Sequence, residues 1–157
     1  MTTPRLRPDD LPGAATTAPY GHTVATPVHF DDLDPMGVLH NARYSVLVER
    51  AITSWWSDRG VSYAGGAPTT PDAFNVVRDF AITYHRPVRG TGEVKIHFWL
   101  ERVGGSSADY RFRVLSTDGT TVHAEGRRLA VRVDPATMRS APWTDHGREL
   151  AAALVKP

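Results

Sequence analysis

The segment from Phe30 to Tyr44 concentrates side chains that can carry chemistry, in the order FDDLDPMGVLHNARY. It contains three carboxylates, one imidazole and one amide, which belong to Asp31, Asp32, Asp34, His40 and Asn41. A carboxylate can attack an activated carbonyl carbon as a nucleophile, or it can act as general base for a water molecule. The segment is therefore a candidate site for acyl transfer to water.

Asp34 is the candidate that we favour among the three carboxylates. Pro35 disfavours the α conformation at Asp34, and Gly37 permits a sharp turn or a close approach of a substrate to the backbone. Both effects would aim the Asp34 side chain independently of a following helix. Because aspartates before helices are also common as caps and turn residues, composition alone leaves a structural role open.

These polar side chains do not follow a metal-binding pattern. The spacing of the aspartates lacks the bidentate glutamate and the regular ligand period of a calcium loop. The chain has no cysteine, which excludes a thiol nucleophile, a disulfide framework and a cysteine-type zinc site. We therefore predict neither a metal nor another cofactor.

A helix must follow this segment, because apolar residues recur at three- and four-residue steps after it. The apolar stripe comprises Tyr44, Leu47, Val48, Ala51, Ile52 and Trp55. We predict a helix over Asn41–Gly60, with Asn41 as its N-cap and Gly60 as its C-terminal stop. Free N–H groups at the helix start, near Asn41, could polarise a carbonyl group.

The remaining pattern is strand-like. Alternation over His22–Asp31 predicts a first strand whose inner face holds Val24, Thr26, Val28 and Phe30, with Pro27 at an edge or bulge. Residues 61–73 predict a loop, and Phe74–Asp134 predicts four strands. Short Gly-rich connections predict antiparallel neighbours. The pattern also allows a short final helix over Asp145–Val155.

Length and composition bound the class of protein. The 157 residues suit one domain over residues 21–157, preceded by a disordered arm over residues 1–20. A net charge of +1 without a basic run predicts no nucleic-acid partner. No apolar run approaches the roughly 20 residues that cross a bilayer. We expect no membrane partner and a cytoplasmic location.

A family resemblance sharpens the interpretation of the segment. The order Phe-x-Asp-x-Asp-Pro-x-Gly-Val-x-His-Asn-Ala-x-Tyr, followed by Glu49-Arg50-Ala51, resembles the signature of the 4-hydroxybenzoyl-CoA thioesterase family and its acyl-CoA thioesterase relatives in the hotdog superfamily. The resemblance extends more weakly over about residues 24–134. It implies an α+β hotdog fold, in which an antiparallel sheet of five to six strands wraps around one long central helix.

The resemblance also implies roles for particular residues. Asp34 falls on the catalytic carboxylate, and a backbone N–H near Asn41 falls on the group that holds the thioester carbonyl. Tyr44 falls on the family's usual tyrosine, although its place on the apolar stripe suggests packing. His40 and Asn41 replace the aromatic residues of the 4-hydroxybenzoyl enzyme, which argues against an aryl substrate.

Further residues complete the predicted site. Glu49 is a second candidate for a catalytic carboxylate, because some hotdog thioesterases use a helix glutamate; its alternative is a solvated or interface role. The predicted substrate-binding residues are Gly37, His40, Tyr44, Arg86 and Arg89. Arginines could bind nucleotide phosphates, since guanidinium pairs bidentately with phosphate, or could simply keep strand edges soluble. The other arginines considered are Arg102, Arg127 and Arg128.

Three functions are consistent with the sequence. The favoured one is an acyl-CoA thioesterase; the others are a thioesterase acting on acyl-carrier protein and a hotdog protein that binds an acyl ligand without turnover. A single helix covers only one face of a five-stranded sheet, and the edge strands of such a sheet stay unpaired. We therefore expect a homodimer or a homotetramer.

Overall fold

The structure, a computed structural model, describes residues 18–157 and contains seven strands and two α-helices there. The strands are β1 (His22–Val28), β2 (Tyr63–Ala64), β3 (Ala67–Pro68), β4 (Asn75–Tyr84), β5 (Gly92–Val103), β6 (Ser107–Leu115) and β7 (Val122–Arg132). The helices are α1 (Tyr44–Ser57) and α2 (Asp145–Ala151). No helix in this part of the chain is long and apolar enough to cross a membrane.

Five strands form one antiparallel sheet in the order β1-β5-β6-β7-β4, while β2 and β3 form a separate hairpin. Alternate residues of β5 and β6 are fully buried, including Ile96, Phe98, Phe112 and Val114. The stripe of α1 is buried in the same core. Because a strand presents every second side chain to one face, this burial places α1 on the inner face of the sheet. The predicted sheet with one long helix is confirmed.

The connection between β4 and β5 corrects one prediction. Its short Gly-containing turn indicated that these strands are neighbours, yet β4 and β5 are separated by β6 and β7. Residues 85–91 instead cross the end of the sheet. Three strand spacings amount to about 14 Å, which seven extended residues reach with ease. Val88, buried in the core, anchors this connection, and its carbonyl accepts from Leu39 N–H at 2.9 Å.

The long helix begins later than predicted. Asn41–Arg43 form a 3-10 turn, and α1 follows directly from Tyr44. Asn41 is not the N-cap; the cap is His40, whose Nδ1 accepts from Ala42 N–H at 3.0 Å. At the other end, Gly60 has φ +81°, and Val61 N–H donates to the carbonyl of Trp56. This is the glycine-terminated pattern that the sequence predicts.

Three other expectations have mixed outcomes. Phe30 is not on the inner face, since it lies in a 3-10 turn over Phe30–Asp32 with 85% of its surface exposed. Pro27 does lie on an edge strand, β1, where a missing N–H is harmless. The possible final helix is present as α2 and a 3-10 turn over Ala152–Leu154.

The predicted N-terminal arm lies mostly outside the described residues, because residues 1–17 are not among them. Its last residue, Tyr20, contacts the sheet. The Tyr20 ring lies 5.3 Å from the Trp99 ring in an edge-on arrangement. The backbone carbonyl oxygen of Tyr20 is 3.0 Å from His97 Nε2. Burial lowers the pKa of His97, while its bond to the Tyr20 carbonyl opposes that shift.

Candidate active site

Asp34 opens a tight hairpin that leads into α1. Its N–H donates to the Val38 carbonyl at 2.8 Å, and Gly37 N–H donates to the Asp34 carbonyl at 2.9 Å. Gly37 has φ +74°, which an L residue with a side chain rarely adopts. The hairpin therefore depends on Gly37, in agreement with the turn that the sequence predicts.

The carboxylate of Asp34 is held by the backbone at one oxygen only. Oδ1 accepts from Met36 N–H at 2.8 Å and from Val38 N–H at 3.3 Å. No donor within residues 18–157 bonds to Oδ2. The side chain is thus both a turn-forming residue and an oriented carboxylate with one free oxygen.

The other two aspartates have different surroundings. Asp32 is buried; its Oδ2 accepts from His29 N–H at 2.8 Å, and its Oδ1 lies 3.9 Å from Arg43 Nε. Asp31 is exposed, and its carbonyl accepts weakly from Arg43 Nη2. Asp32 therefore stabilises the loop, which leaves Asp34 as the oriented carboxylate that is accessible.

The start of the helix carries an unused backbone donor. His40 satisfies two N–H groups of the 3-10 turn, because its Nδ1 accepts from Ala42 and its carbonyl from Arg43. The N–H of Asn41 has no acceptor in the described part of the chain. On the opposite side, the Asn41 carbonyl accepts from the Tyr84 hydroxyl at 3.2 Å. The predicted carbonyl-binding N–H is therefore available at Asn41.

Tyr44 lies inside the core and not at the surface of the site. It is 3% exposed, and its ring packs edge-on against Tyr84 at 5.0 Å. Burial, with a smaller effect of Tyr84, raises the pKa of Tyr44. These contacts favour the packing role that the stripe suggested, while substrate contact by Tyr44 stays a prediction. Tyr84, which the sequence placed only in a strand, supports both Tyr44 and Asn41.

Two of the predicted arginines lie on the connection between β4 and β5, which contacts the hairpin at Arg89 and Gly90. Arg89 pairs with Val38 in a β-bridge, and Gly90 N–H donates to the Gly37 carbonyl at 2.8 Å. Arg86 is exposed on the same connection between β4 and β5. By contrast, Arg127 faces Asp79 and Asp109 on the outer side of the sheet. The structure therefore brings Arg89 to the hairpin of Gly37, places Arg86 on the same connection beside His123, and places Arg127 elsewhere.

Glu49, just before the middle of α1, borders a second region that extends along the C-terminal half of this helix. Its Oε1 accepts from Arg128 Nη2 at 3.1 Å, and both residues line a cavity of about 590 Å³. Neither Asp34 nor Asn41 lines this cavity. The two candidate carboxylates are therefore not combined in one site within a protomer.

The buried face of β7 includes a charged residue. Ala124, Arg128 and Ala130 are buried, whereas Leu129 and Val131 are only partly buried. The sequence did contain a signal for this arrangement. Alternation that begins at Val122 places Arg128 on the same face as Ala124 and Ala130, despite its charge. The cavity residues Trp56 and Tyr110 were predicted only as packing and strand residues.

No three His, Asp or Glu side chains of residues 18–157 come close enough together to hold a metal ion. In particular, Asp31, Asp32, Asp34 and His40 do not form such a group.

The thioesterase superfamily pattern matches residues 36–123, which is more than half of the chain. The chain belongs to this superfamily, has the hotdog fold and is a thioester hydrolase. The matched region begins just after Asp34 and includes Gly37, Asn41, Glu49 and Arg89.

Individual relatives agree in class. The acyl-CoA thioester hydrolase YbgC of Escherichia coli O157:H7 is 28% identical over 112 residues, which cover 71% of this chain and 81% of YbgC. Among solved structures, the PA2801 protein of Pseudomonas aeruginosa is 28% identical, with a TM-score of 0.71 over 82% of this chain and 95% of that one. A thioesterase of Thermus thermophilus, crystallised with coenzyme A and zinc, is 25% identical, with a TM-score of 0.69 over 86% and 95%.

Proposed function

We propose that the protein is an acyl-CoA thioesterase in which Asp34 acts on the thioester carbonyl. One observation carries this proposal: Asp34 has a free carboxylate oxygen in the hairpin that leads directly to the free N–H of Asn41. The names of YbgC and of the coenzyme A-bound Thermus protein support coenzyme A as the thiol. Acyl-carrier protein is the alternative thiol carrier.

The reaction needs two groups from this chain. Asp34 Oδ2 attacks the carbonyl carbon, or it removes a proton from a water molecule that attacks. Negative charge then develops on the carbonyl oxygen, and the Asn41 N–H at the positive end of the helix stabilises it. The C–S bond breaks, and the thiolate leaves and is protonated. If Asp34 attacks directly, water then hydrolyses the anhydride between Asp34 and the acyl group, which restores the carboxylate; in both routes water supplies the new oxygen of the free acid.

Glu49 fits a positioning role better than attack. Its carboxylate is engaged with Arg128, which is only 6% exposed, and it lies outside the Asp34 hairpin. Removing Glu49 would leave a buried guanidinium without its counter-charge. We therefore assign to Glu49 the neutralisation of Arg128, and we retain catalysis by Glu49 as the alternative to be tested.

The phosphate groups of coenzyme A would meet the exposed arginines beside the hairpin. Arg86 and Arg89 form no ion pair with a carboxylate among the described residues, so their guanidinium groups can bind phosphate. Gly37 lets the substrate approach the backbone between them and Asp34. His40 is exposed, and its Nδ1 is occupied by the cap, so Nε2 is the atom that could contact substrate.

We further propose a homodimer formed through β4. This edge strand is ten residues long and mostly exposed, with Val76 and Val77 open to solvent. The other edge strand, β1, contains Pro27, which cannot donate to a new ladder. A two-fold axis at the middle of β4 would join two copies into one continuous sheet. A homotetramer would need a further interface.

This pairing would complete the site. The N-terminal end of α1 contacts Tyr84 at the end of β4, whereas the cavity near its C-terminal half contacts Asn75 and Val77 at the beginning of β4. Antiparallel pairing sets the end of one β4 beside the beginning of its partner. The Asp34 hairpin of one protomer would then adjoin the cavity of the other, which would receive the acyl group.

Steady-state hydrolysis of a panel of acyl-CoA thioesters tests the assignment of Asp34. We expect Asp34→Asn to lower kcat by about 100-fold to 10,000-fold, because the amide can neither attack nor accept a proton. Asp31→Asn is the matched control, since it neutralises an exposed aspartate of the same loop, and it should keep its rate. Near-normal turnover of folded Asp34→Asn would refute the role of Asp34.

Two further comparisons settle the alternatives. Glu49→Gln should retain catalysis of a plain acyl-CoA if Glu49 only neutralises Arg128; a loss comparable with that of Asp34→Asn would make Glu49 catalytic. Rates on matched acyl-CoA and acyl-carrier-protein substrates decide between the two thiols. A cytoplasmic location stays a prediction from the sequence.

A further inference from the structure

The cavity near the C-terminal half of α1 has the size of a small-molecule site, at about 590 Å³. It lies between α1, the segment after Gly60, and the inner faces of β6 and β7. Most of its wall is apolar and includes Ile52, Val61, Leu100, Val103, Ala108 and Ala130. This composition suits the hydrocarbon part of an acyl group.

One part of the wall is polar and buried. Arg128 of β7 lies directly opposite Tyr110 of β6 in the ladder, and both side chains point inward. They are 6% and 4% exposed, respectively. Trp56 Nε1 donates to the Tyr110 hydroxyl at 2.7 Å, and Arg128 Nη2 donates to Glu49 Oε1 at 3.1 Å.

This polar cluster has more donors than acceptors. A guanidinium has five N–H donors, and within residues 18–157 only one bond from Arg128, to Glu49, is made. The Tyr110 hydroxyl oxygen accepts from Trp56, whereas its hydrogen has no acceptor in the described region. Burial raises the pKa of Tyr110 to about 12, so the hydroxyl keeps its proton and remains a donor.

The charges around the cavity also favour an anion. Three arginines and two carboxylates line it: Arg50, Arg128, Arg148, Glu49 and Asp72. Asp72 is already occupied, because it accepts from the N–H and hydroxyl of Thr144 and lies 3.9 Å from Arg132. The Glu49 side chain is 55% exposed and accepts a single bond from Arg128 Nη2, so the other N–H donors of the guanidinium stay available to a ligand. A plain acyl chain would leave the inward donors unsatisfied, which costs free energy.

We propose that the cavity accepts an acyl group whose far end carries a carboxylate, bound by Arg128 and the Tyr110 hydroxyl. The proposal rests on the proposed function, because it names the acyl class that this thioesterase prefers. Guanidinium binds carboxylate through two parallel hydrogen bonds, and the Tyr110 hydroxyl adds a third donor. Arg128 is in this sense a specificity residue and takes no part in breaking the thioester bond.

A matched pair of substrates tests the proposal. Adipoyl-CoA and hexanoyl-CoA have the same number of acyl carbons and differ in the terminal carboxylate. The wild type should show the higher kcat/KM with adipoyl-CoA. Arg128→Gln should lower that value by about 10-fold to 100-fold while changing hydrolysis of hexanoyl-CoA little, since a hydrogen bond to a charged group is lost. An equal loss on both substrates, or no preference in the wild type, would overturn the proposal.

Two further variants distinguish loss of the carboxylate contact from a folding defect caused by substituting Arg128. Tyr110→Phe removes one hydroxyl at nearly constant volume, and it should lower kcat/KM selectively for adipoyl-CoA by several-fold. Arg111→Gln changes a neighbouring arginine of β6 whose Nε lies 3.6 Å from Asp109, away from the cavity, and it should leave the preference unchanged. A preference lost equally in Tyr110→Phe and Arg111→Gln would contradict the assignment.

Calorimetry with the free acids separates this proposal from the proposed function. Adipate should bind the wild type more tightly than hexanoate, and Arg128→Gln should abolish the difference. This result would support the cavity assignment even if neither thioester were hydrolysed, in which case the proposed function would fail alone. Equal binding of both acids, absence of binding, or a difference that persists in Arg128→Gln would refute the carboxylate site.

Discussion

The two ends of α1 are built in different ways. At the N-terminal end, a short local segment provides the carboxylate of Asp34 and the N–H of Asn41, and backbone bonds hold both in place. At the C-terminal half, the cavity is formed by side chains from distant parts of the chain; Glu49 and Arg128 are 79 residues apart. The first region is open to solvent, whereas Arg128 and Tyr110 are buried.

This difference separates two tasks. Groups that act on a thioester carbonyl are common to every substrate, so they can be fixed by backbone geometry that tolerates changes in the surrounding side chains. Recognition of the acyl group depends on the size and polarity of the cavity, so it can change through single side chains such as Arg128. We therefore expect substitutions at the N-terminal end to change kcat for all substrates, and substitutions in the cavity to change the ratio between substrates.

After Asp34→Asn, the largest expected effect would come from removing the free N–H with Asn41→Pro. Loss of one oxyanion donor typically lowers kcat by about 100-fold to 1,000-fold. Proline suits this place, because position 41 is the first of a helical turn and His40 is extended, with φ −63° and ψ 136°. Steady-state kinetics and circular dichroism would be measured together.

Asn41→Ala is the matched control, since it deletes the side chain and keeps the N–H. It should retain most of the rate. If Asn41→Ala were as slow as Asn41→Pro, the amide side chain and not the backbone would carry the function, and the contrast between the two ends of α1 would fail.

An intermediate effect is expected from Ala81→Lys, which tests whether the two ends meet across a dimer. Ala81 is exposed near the middle of β4, where the proposed two-fold axis would bring two lysines together. Like charges at an interface should weaken association by about 2 kcal/mol, or roughly 30-fold. Sedimentation equilibrium would measure this change, and specific activity should fall on dilution in parallel.

Ala81→Ser should associate like the wild type. A wild type that is monomeric and fully active would exclude the composite site, as would an Ala81→Lys variant that dissociates without losing activity.

The smallest expected effect concerns the cap of the helix. His40→Ala removes the acceptor for Ala42 N–H and should lower the free energy of unfolding by about 1 kcal/mol, whereas His40→Asn can still accept that bond. Urea unfolding of both variants measures the difference. Equal stability of the two variants would argue against the cap.

The same pair separates capping from substrate contact. If His40 Nε2 touches the substrate, KM should rise in both variants, because both lack the imidazole. If only the cap matters, His40→Asn should keep the KM of the wild type.

Much of the fold could be predicted from the sequence, because it follows local periods. The stripe of α1 and the alternation of β5 and β6 need no knowledge of distant neighbours. Errors arose where a local pattern had more than one spatial solution. The Gly-rich connection after β4 is compatible with a hairpin or with a crossing of the sheet end. It crosses the sheet end, and the burial of Val88 in the core stabilises this path.

For the site, the sequence alone determined the hairpin of Asp34, its glycine and the helix that follows, since these interactions span only a few residues. Asx turns, positive φ and helix starts are properties of neighbouring residues. That Arg128 faces inward opposite Tyr110 and contacts Glu49 is visible in the folded protein alone, because this contact depends on strand register across most of the chain. The sequence suggested a nucleotide phosphate or a strand edge as the place of Arg128, whereas the period of β7 and the pairing of β6 with β7 place it in the cavity.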